Sequence, residues 1–251
     1  MPARSIRSGP AVGVRGSRSL VWPRPSSYAA ATSSRAARPR RSAVGMGVME
    51  LARTEREDLR DLLSGLSPEQ WRAPSLCASW SVRDVVAHML SYEELGARQL
   101  AERFLRGRLS VDRVNDITLR ENASRTPEQL IQLLDAHLDP TGLTAGMGGA
   151  IALTDGMIHQ QDIRRPLGLT RTIPAERLVP ALRTALFAPT LLGVIRVRDV
   201  RLVATDIDWA FGRGPELRGT GEAILMTVAG RRAAVDDLSG PGHARVAQRL
   251  G

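Results

Sequence analysis

Two segments of this chain place side chains where they can do chemistry together. The first is DGMIHQQDIRRPLG, Asp155 to Gly168, which sets Asp155 and His159 four residues apart on one helical face. A carboxylate and an imidazole at that spacing can both reach one divalent ion at about 2.0–2.2 Å. The second is WSVRDVVAHML, where His88 shares a stripe with Val85, Tyr92 and Leu95 at spacings of three and four. His88, Asp155 and His159 together form a candidate three-ligand metal site. Three protein ligands leave one position open, as in catalytic zinc, and that position takes water or a thiol. A coordinated thiol is deprotonated by the metal.

Each of these residues also has an ordinary reading. A histidine on an apolar stripe serves as a hydrogen-bonded core residue, and an Asp-x-x-x-His pair serves as a helix-surface hydrogen bond. Asp84, one turn before His88, reads as a helix cap rather than a ligand. Arg164 and Arg165 either clamp an anion or complement the end of a helix dipole. Cys77 becomes a nucleophile only if a base lies close to it. The other two histidines are poorly placed: His137 ends a helix beside Pro140, and His243 falls in a glycine-rich connection.

Positioning these residues requires helices. Residues 49–65 carry Leu51, Leu59, Leu62 and Leu63 among charges and stop at Gly65. SPEQW (67–71) has Ser67 as N-cap and Pro68 at the first helical position. SVRD (81–84) resembles a capping box and opens a helix expected to run to about Arg106. TPEQ (126–129) repeats the device for a helix ending before Pro140. After the small-residue linker TGLTAGMGG, a further helix is expected from about Ala150 to Arg164, stopped by Pro166 and Gly168. These four main helices predict a bundle over residues 46–170. Beyond it the pattern changes to a helix (173–193), a strand that passes into an acidic turn (200–209), a turn with a short strand (212–219) and a helix (221–231) with Gly230 as its C-terminal cap. Residues 171–251 therefore read as a small α/β domain, and the fold class as mainly α.

Residues 1–45 contain nine arginines and no acid, which leaves 26 of the 35 basic residues to face all 26 acidic ones in the remainder. The net charge of +9 thus belongs to the tail, and the body is neutral. All basic residues are arginine, a bias of codon usage rather than of a binding surface. The tail composition predicts disorder. A transit peptide, a nucleic-acid-binding arm, or an extension upstream of a start at Met46 or Met49 each accounts for it, and the extension fits best. A nucleic-acid partner for the body conflicts with its neutrality. The single cysteine excludes an intramolecular disulfide framework and fits a reducing cytoplasm. No apolar run is long enough to span a membrane.

The segment LSPEQWRAPSLCASWSVRDVVAHML (66–90) resembles the first metal-ligand region of DinB-like bundles, and in particular of the mycothiol-dependent maleylpyruvate isomerase family. Trp80, Val82, Asp84, Val85 and His88 match its Trp-x-Val-x-Asp-Val-x-x-His run. IHQQDIRRPLG (158–168) is similar to a second run of that family, with Gln160 where the family has glycine. RLVATDIDWAFGRGPELRGTGEAILMTVAGR (201–231) is similar to the family's small C-terminal domain. The resemblance spans about residues 48–250. It implies a DinB-like four-helix bundle followed by a small α/β domain, with His88, Asp155 and His159 holding a divalent metal, zinc first among candidates. It departs from the family pattern at 155, where glutamate is expected and the chain has the shorter aspartate.

The resemblance further implies mycothiol, or a similar low-molecular-weight thiol, as cosubstrate and a small electrophilic molecule as substrate. Thiolate addition to a cis double bond permits rotation before elimination, giving an isomerase; release of the adduct gives an S-transferase. The alternative from another class is a non-catalytic DinB-like module that binds metal or a small ligand in stress response or regulation.

Overall fold

A computed structural model describes residues 46–250. The expectations for the arginine-rich tail lie outside the described residues.

The chain opens with α1 (Val48–Ser64), whose buried stripe runs through Leu51, Ala52, Leu59 and Leu63. The same face also buries two charges, Glu55 and Arg56. A short helix, α2 (Pro68–Arg72), starts on a capping box between Ser67 and Gln70. It leads to α3 (Val82–Leu90), where Ser81 accepts from the Asp84 backbone and Asp84 accepts from the Ser81 backbone. Asp84 is thus the cap that the sequence indicates.

The helix expected to continue to Arg106 breaks after Leu90. Ser91 Oγ donates to the His88 carbonyl at 2.7 Å, and the chain turns so that Glu93 points inward. There Glu93 meets the Arg56 guanidinium at 2.5 Å, Thr144 Oγ1 at 2.6 Å and the Thr141 backbone N–H at 3.0 Å. A buried carboxylate is retained only with such partners, and a straight helix would carry it away from them. Gly142 lets the 141–145 loop close on this turn, because a Cβ there would lie 2.9 Å from the Tyr92 carbonyl oxygen. Two further helices follow, α4 (Ala97–Arg106) and α5 (Val111–Glu121). The second has no counterpart among the helices expected from the sequence. Arg103 joins the pair to the turn, donating to Ser91 O and Thr118 Oγ1, both at 3.2 Å.

The next helix, α6 (Pro127–Ala136), starts on the Thr126–Gln129 capping box. After a 3₁₀ turn (Gly146–Gly149), α7 spans Ala150–Arg164, the limits expected from the sequence. It is buried on nearly every side, polar residues included. Helices α1, α3, α6 and α7 form the four-helix bundle, and the fold is mainly α.

The remaining elements are α8 (Ala175–Phe187), the one-turn α9 (Gly193–Arg196), three short strands, α10 (Gly221–Val228), a 3₁₀ turn (Arg232–Asp237) and α11 (His243–Leu250). His243 therefore starts a helix rather than lying in a loop. The stretch 200–209, expected as a strand passing into an acidic turn, holds β1 (Arg201–Ala204) and the turn at Thr205–Asp208, and β2 (Ala210–Gly212) follows it, paired antiparallel with β1. The third strand, β3 (Glu216–Gly219), lies parallel to β1, giving the order β2-β1-β3. Apolar groups from α1, α7, α8, α10 and β1 share one core cluster, including Met157, Leu178, Leu182, Leu202 and Ile224. A second cluster joins α1, α3 and α6 through Leu59, Val85 and Leu130. Among the described residues no helix is long and apolar enough to cross a membrane.

Glu55 ties α1 to the later helices. Its carboxylate accepts from Arg171 at 2.5 Å, from Arg177 at 3.0 Å and from Gln160 at 3.2 Å, and its side chain is 1% exposed. Removing one partner of a buried ion pair leaves the other charge uncompensated. Glu55→Ala is therefore expected to lower unfolding free energy by about 3–5 kcal/mol, measured as a shift in the urea midpoint at unchanged slope.

Candidate metal centre

The structure brings the three sequence-predicted residues together. His88 near the end of α3 and Asp155 and His159 on α7 offer ligand atoms that all lie within 4.8 Å of one another. Asp155 Oδ1 lies 3.5 Å from His159 Nε2. Two donors bound to one tetrahedral ion at about 2.1 Å are about 3.4 Å apart, so the aspartate side chain reaches far enough. Asp155 is 39% exposed at its side chain, while His159 is 10% exposed. The cluster thus opens to solvent on the Asp155 side. Behind Asp155 a small cavity lined by Arg56, Leu59, Met89, Thr144 and Gly156 has room for about one water molecule.

The donor chemistry fits a cation. His88 Nδ1 is buried with no hydrogen-bond partner, which is costly for an imidazole nitrogen left empty. Its ring lies among aromatic neighbours, Trp80 at 5.0 Å, His159 at 5.2 Å and Tyr92 at 5.7 Å between centroids. Burial, and then the nearby His159, push the His88 pKa down to about 4, so this imidazole is neutral at pH 7, the form that binds metal. His159 behaves oppositely. Burial works against its charge, but Asp155, Asp162 and Cys77 outweigh burial and hold its pKa well above the usual value. Burial likewise opposes the Asp155 carboxylate, and His159 more than compensates, lowering its pKa.

A second cluster shares His159 through its other nitrogen. His159 Nδ1 lies 2.9 Å from Asp162 Oδ2, and the Cys77 thiol donates to the same oxygen at 3.2 Å. Arg231 covers both Asp162 oxygens, Nε at 2.8 Å and Nη2 at 2.6 Å. Burial opposes the Asp162 charge, yet Arg231 and His159 hold its pKa far below the carboxylate range. Cys77, His159 and Asp162 are also close enough to be considered for a metal, but a cation there would face the Arg231 guanidinium. Among the described residues no arginine hydrogen-bonds the Asp155 carboxylate, although Arg56 lies near enough to help lower its pKa. Cys77 meets the geometric condition set for it, with His159 Nδ1 at 3.8 Å. That nitrogen, however, is directed at the closer Asp162.

Other candidates fall elsewhere. Arg165 is taken up by Glu222, with Nη2 at 2.6 Å, and by Asp237 at 2.7 Å, while Arg164 donates to Gln160 at 2.9 Å. Neither arginine is an anion clamp at this cluster. Gln160 is fully buried and donates to the Glu55 carbonyl and carboxylate, towards α1. His137 Nδ1 meets the Leu133 carbonyl at 2.9 Å within its own helix. Asp162 and Arg231 are not among the residues the sequence singles out, and their contact spans 69 positions. The nearest local signal is Gly230, which ends α10 at φ +89° and turns the chain at Arg231.

The comparisons with known proteins agree with this architecture. A family model described as the mycothiol maleylpyruvate isomerase N-terminal domain matches residues 52–147. His88 lies inside the matched segment, and Asp155 and His159 lie just beyond it. Two solved structures, a mycothiol-dependent maleylpyruvate isomerase and a histidine-to-alanine mutant of it, are similar in fold. Each has a TM-score of 0.51 and 17% identity, and the similarity covers 77% of this chain and 91% of the other. No curated protein matches the sequence.

The two histidines give the metal-free protein opposite pH responses. His88 resists protonation in the fold, whereas the unfolded chain takes up that proton near pH 6.5. Its share of stability is therefore intact above pH 6.5 and is lost as pH falls toward 4. The raised pKa of His159 contributes stability that is present below pH 6.5 and is lost as pH rises toward its folded pKa. Thermal melts of metal-free protein across pH 4–9 are expected to show His88→Gln flattening the acid side and His159→Gln the alkaline side.

Proposed function

We propose that the chain is a metal-dependent thiol enzyme, an isomerase or S-transferase that uses mycothiol or a similar low-molecular-weight thiol on a small electrophile. The observation that carries this reading is the convergence of His88, Asp155 and His159 from two bundle helices. The family match over residues 52–147 supports the thiol. His88, Asp155 and His159 would hold a divalent ion, with zinc favoured by two imidazoles and one carboxylate. A zinc ion bound there would supply a thiolate at neutral pH without redox chemistry.

The chain's own groups have separable tasks. His88 arrives neutral, so it contributes a lone pair without first losing a proton. His159 holds a proton on Nε2 against Asp155 and must release it for that nitrogen to coordinate. Metal binding is therefore coupled to proton release and strengthens as pH rises. Trp80 and Tyr92 pack against His88 and restrict its ring. Asp155, at the exposed side of the cluster, marks where a small substrate and a thiol would enter.

Elemental analysis of protein purified from zinc-supplemented cells is expected to give about one zinc per chain, with little in His88→Ala or His159→Ala. Thiol-dependent turnover of an activated alkene, followed by loss of the alkene absorbance or by its cis-to-trans conversion, should disappear in the same variants. Full zinc content with no turnover across mycothiol and other low-molecular-weight thiols would leave a metal-binding module and remove the enzyme. Asp155→Glu, which restores the carboxylate length expected from the family resemblance, should bind zinc at least as tightly as the parent.

A further inference from the structure

We propose that Asp162 is the positioning residue of this centre, holding the His159 ring so that Nε2, and not Nδ1, is presented to Asp155 and His88, and that Arg231 orients Asp162 for that task. The inference rests on the metal reading above and concerns residues outside the three ligands.

Asp162 is fully buried, and four donor groups point at its two oxygens. Arg231 Nε takes Oδ1 at 2.8 Å, while Arg231 Nη2, the Cys77 thiol and His159 Nδ1 converge on Oδ2 at 2.6, 3.2 and 2.9 Å. An ionised carboxylate only accepts hydrogen bonds. His159 Nδ1 must therefore carry the hydrogen, and when the ring gives up one proton it gives it up from Nε2. That nitrogen is the one 3.5 Å from Asp155 Oδ1. Asp162 and His159 are three apart on α7, so the helix already points both the same way. Arg231 adds an anchor from outside α7, at the turn that ends α10. Its guanidinium is planar and spans both oxygens, so it fixes the carboxylate plane as well as its charge.

A purely structural reading assigns the same ion pair the single task of joining α10 to α7. The two readings differ in what they do to a bound metal. Carboxylates that orient a ligating histidine typically change metal affinity by about 10–100-fold when removed, whereas a structural tie changes folding stability alone. In Asp162→Asn the amide cannot accept at both oxygens. Either its NH₂ opposes Arg231, or it opposes His159 Nδ1–H and reverses the preferred tautomer.

The test uses zinc alone as the probe, with affinity measured by competition against a chromophoric chelator at constant pH. Asp162→Asn is expected to bind one zinc per chain with Kd raised about 10–100-fold, and Arg231→Gln to show a smaller rise. An Asp162→Asn Kd within threefold of the parent overturns the proposal and leaves the metal reading standing. Imidazole ¹⁵N spectra of the zinc-loaded parent provide a measurement that needs no variant to fold. The expected spectrum has a protonated Nδ1 and a zinc-bound Nε2 on His159, and zinc on Nδ1 would overturn the assignment. If the parent itself binds no zinc, the metal reading fails first, and this inference fails with it.

Discussion

The burial of α7 imposes the constraint on which the rest of the structure depends. Its polar side chains His159, Gln160, Gln161 and Asp162 are all at most 8% exposed. Such groups persist in an interior only when each finds a partner, and one helix cannot supply the partners for all of them. Gln160 reaches α1 through Glu55, Gln161 reaches α10 through Glu222, and Asp162 reaches Arg231. His159 turns one nitrogen to Asp162 and the other to Asp155. The elements around α7 are thereby held in one arrangement by polar pairing as well as by apolar packing.

That arrangement gives two histidines of one cluster opposite proton affinities. His88 is surrounded by rings and cannot easily carry charge, while His159 lies between two carboxylates and cannot easily lose it. The difference arises because α3 delivers its histidine into an aromatic corner formed with Trp80 and Tyr92, and α7 delivers its histidine between acidic residues one turn away on either side. The proposed chemistry draws on this asymmetry, since one ligand is ready for a cation and the other exchanges a proton for it.

Local signals in the sequence read well wherever one short segment satisfies its own backbone. The Ser81–Asp84 and Thr126–Gln129 capping boxes and the limits of α7 needed only neighbours three or four residues away. The local pattern predicts α3 running through Ser91 to Arg106 and does not mark α5, because the reason for the break is not local. Glu93 turns inward to reach Arg56, 37 positions earlier, and Thr141 and Thr144, about 50 later. In the C-terminal part, residues 200–209 read as a strand passing into an acidic turn, as β1 and Thr205–Asp208 are, while the three-residue β2 that follows is too short to leave a pattern.

For the candidate centre, the sequence by itself determined the residue types, the one-turn spacing of Asp155 and His159, and the helix that carries His88. Side-chain chemistry and the 3.6-residue period are properties of the chain, and they survive any arrangement of the helices. Only the tertiary structure decided that α3 meets α7 at His88 and His159, with ring centroids 5.2 Å apart. It alone placed Arg231 on Asp162, which left Asp155 as the carboxylate free for an ion and turned Cys77 into a donor to Asp162 rather than a nucleophile beside a base. These outcomes depend on contacts between residues 69 to 85 positions apart, and no local periodicity encodes them.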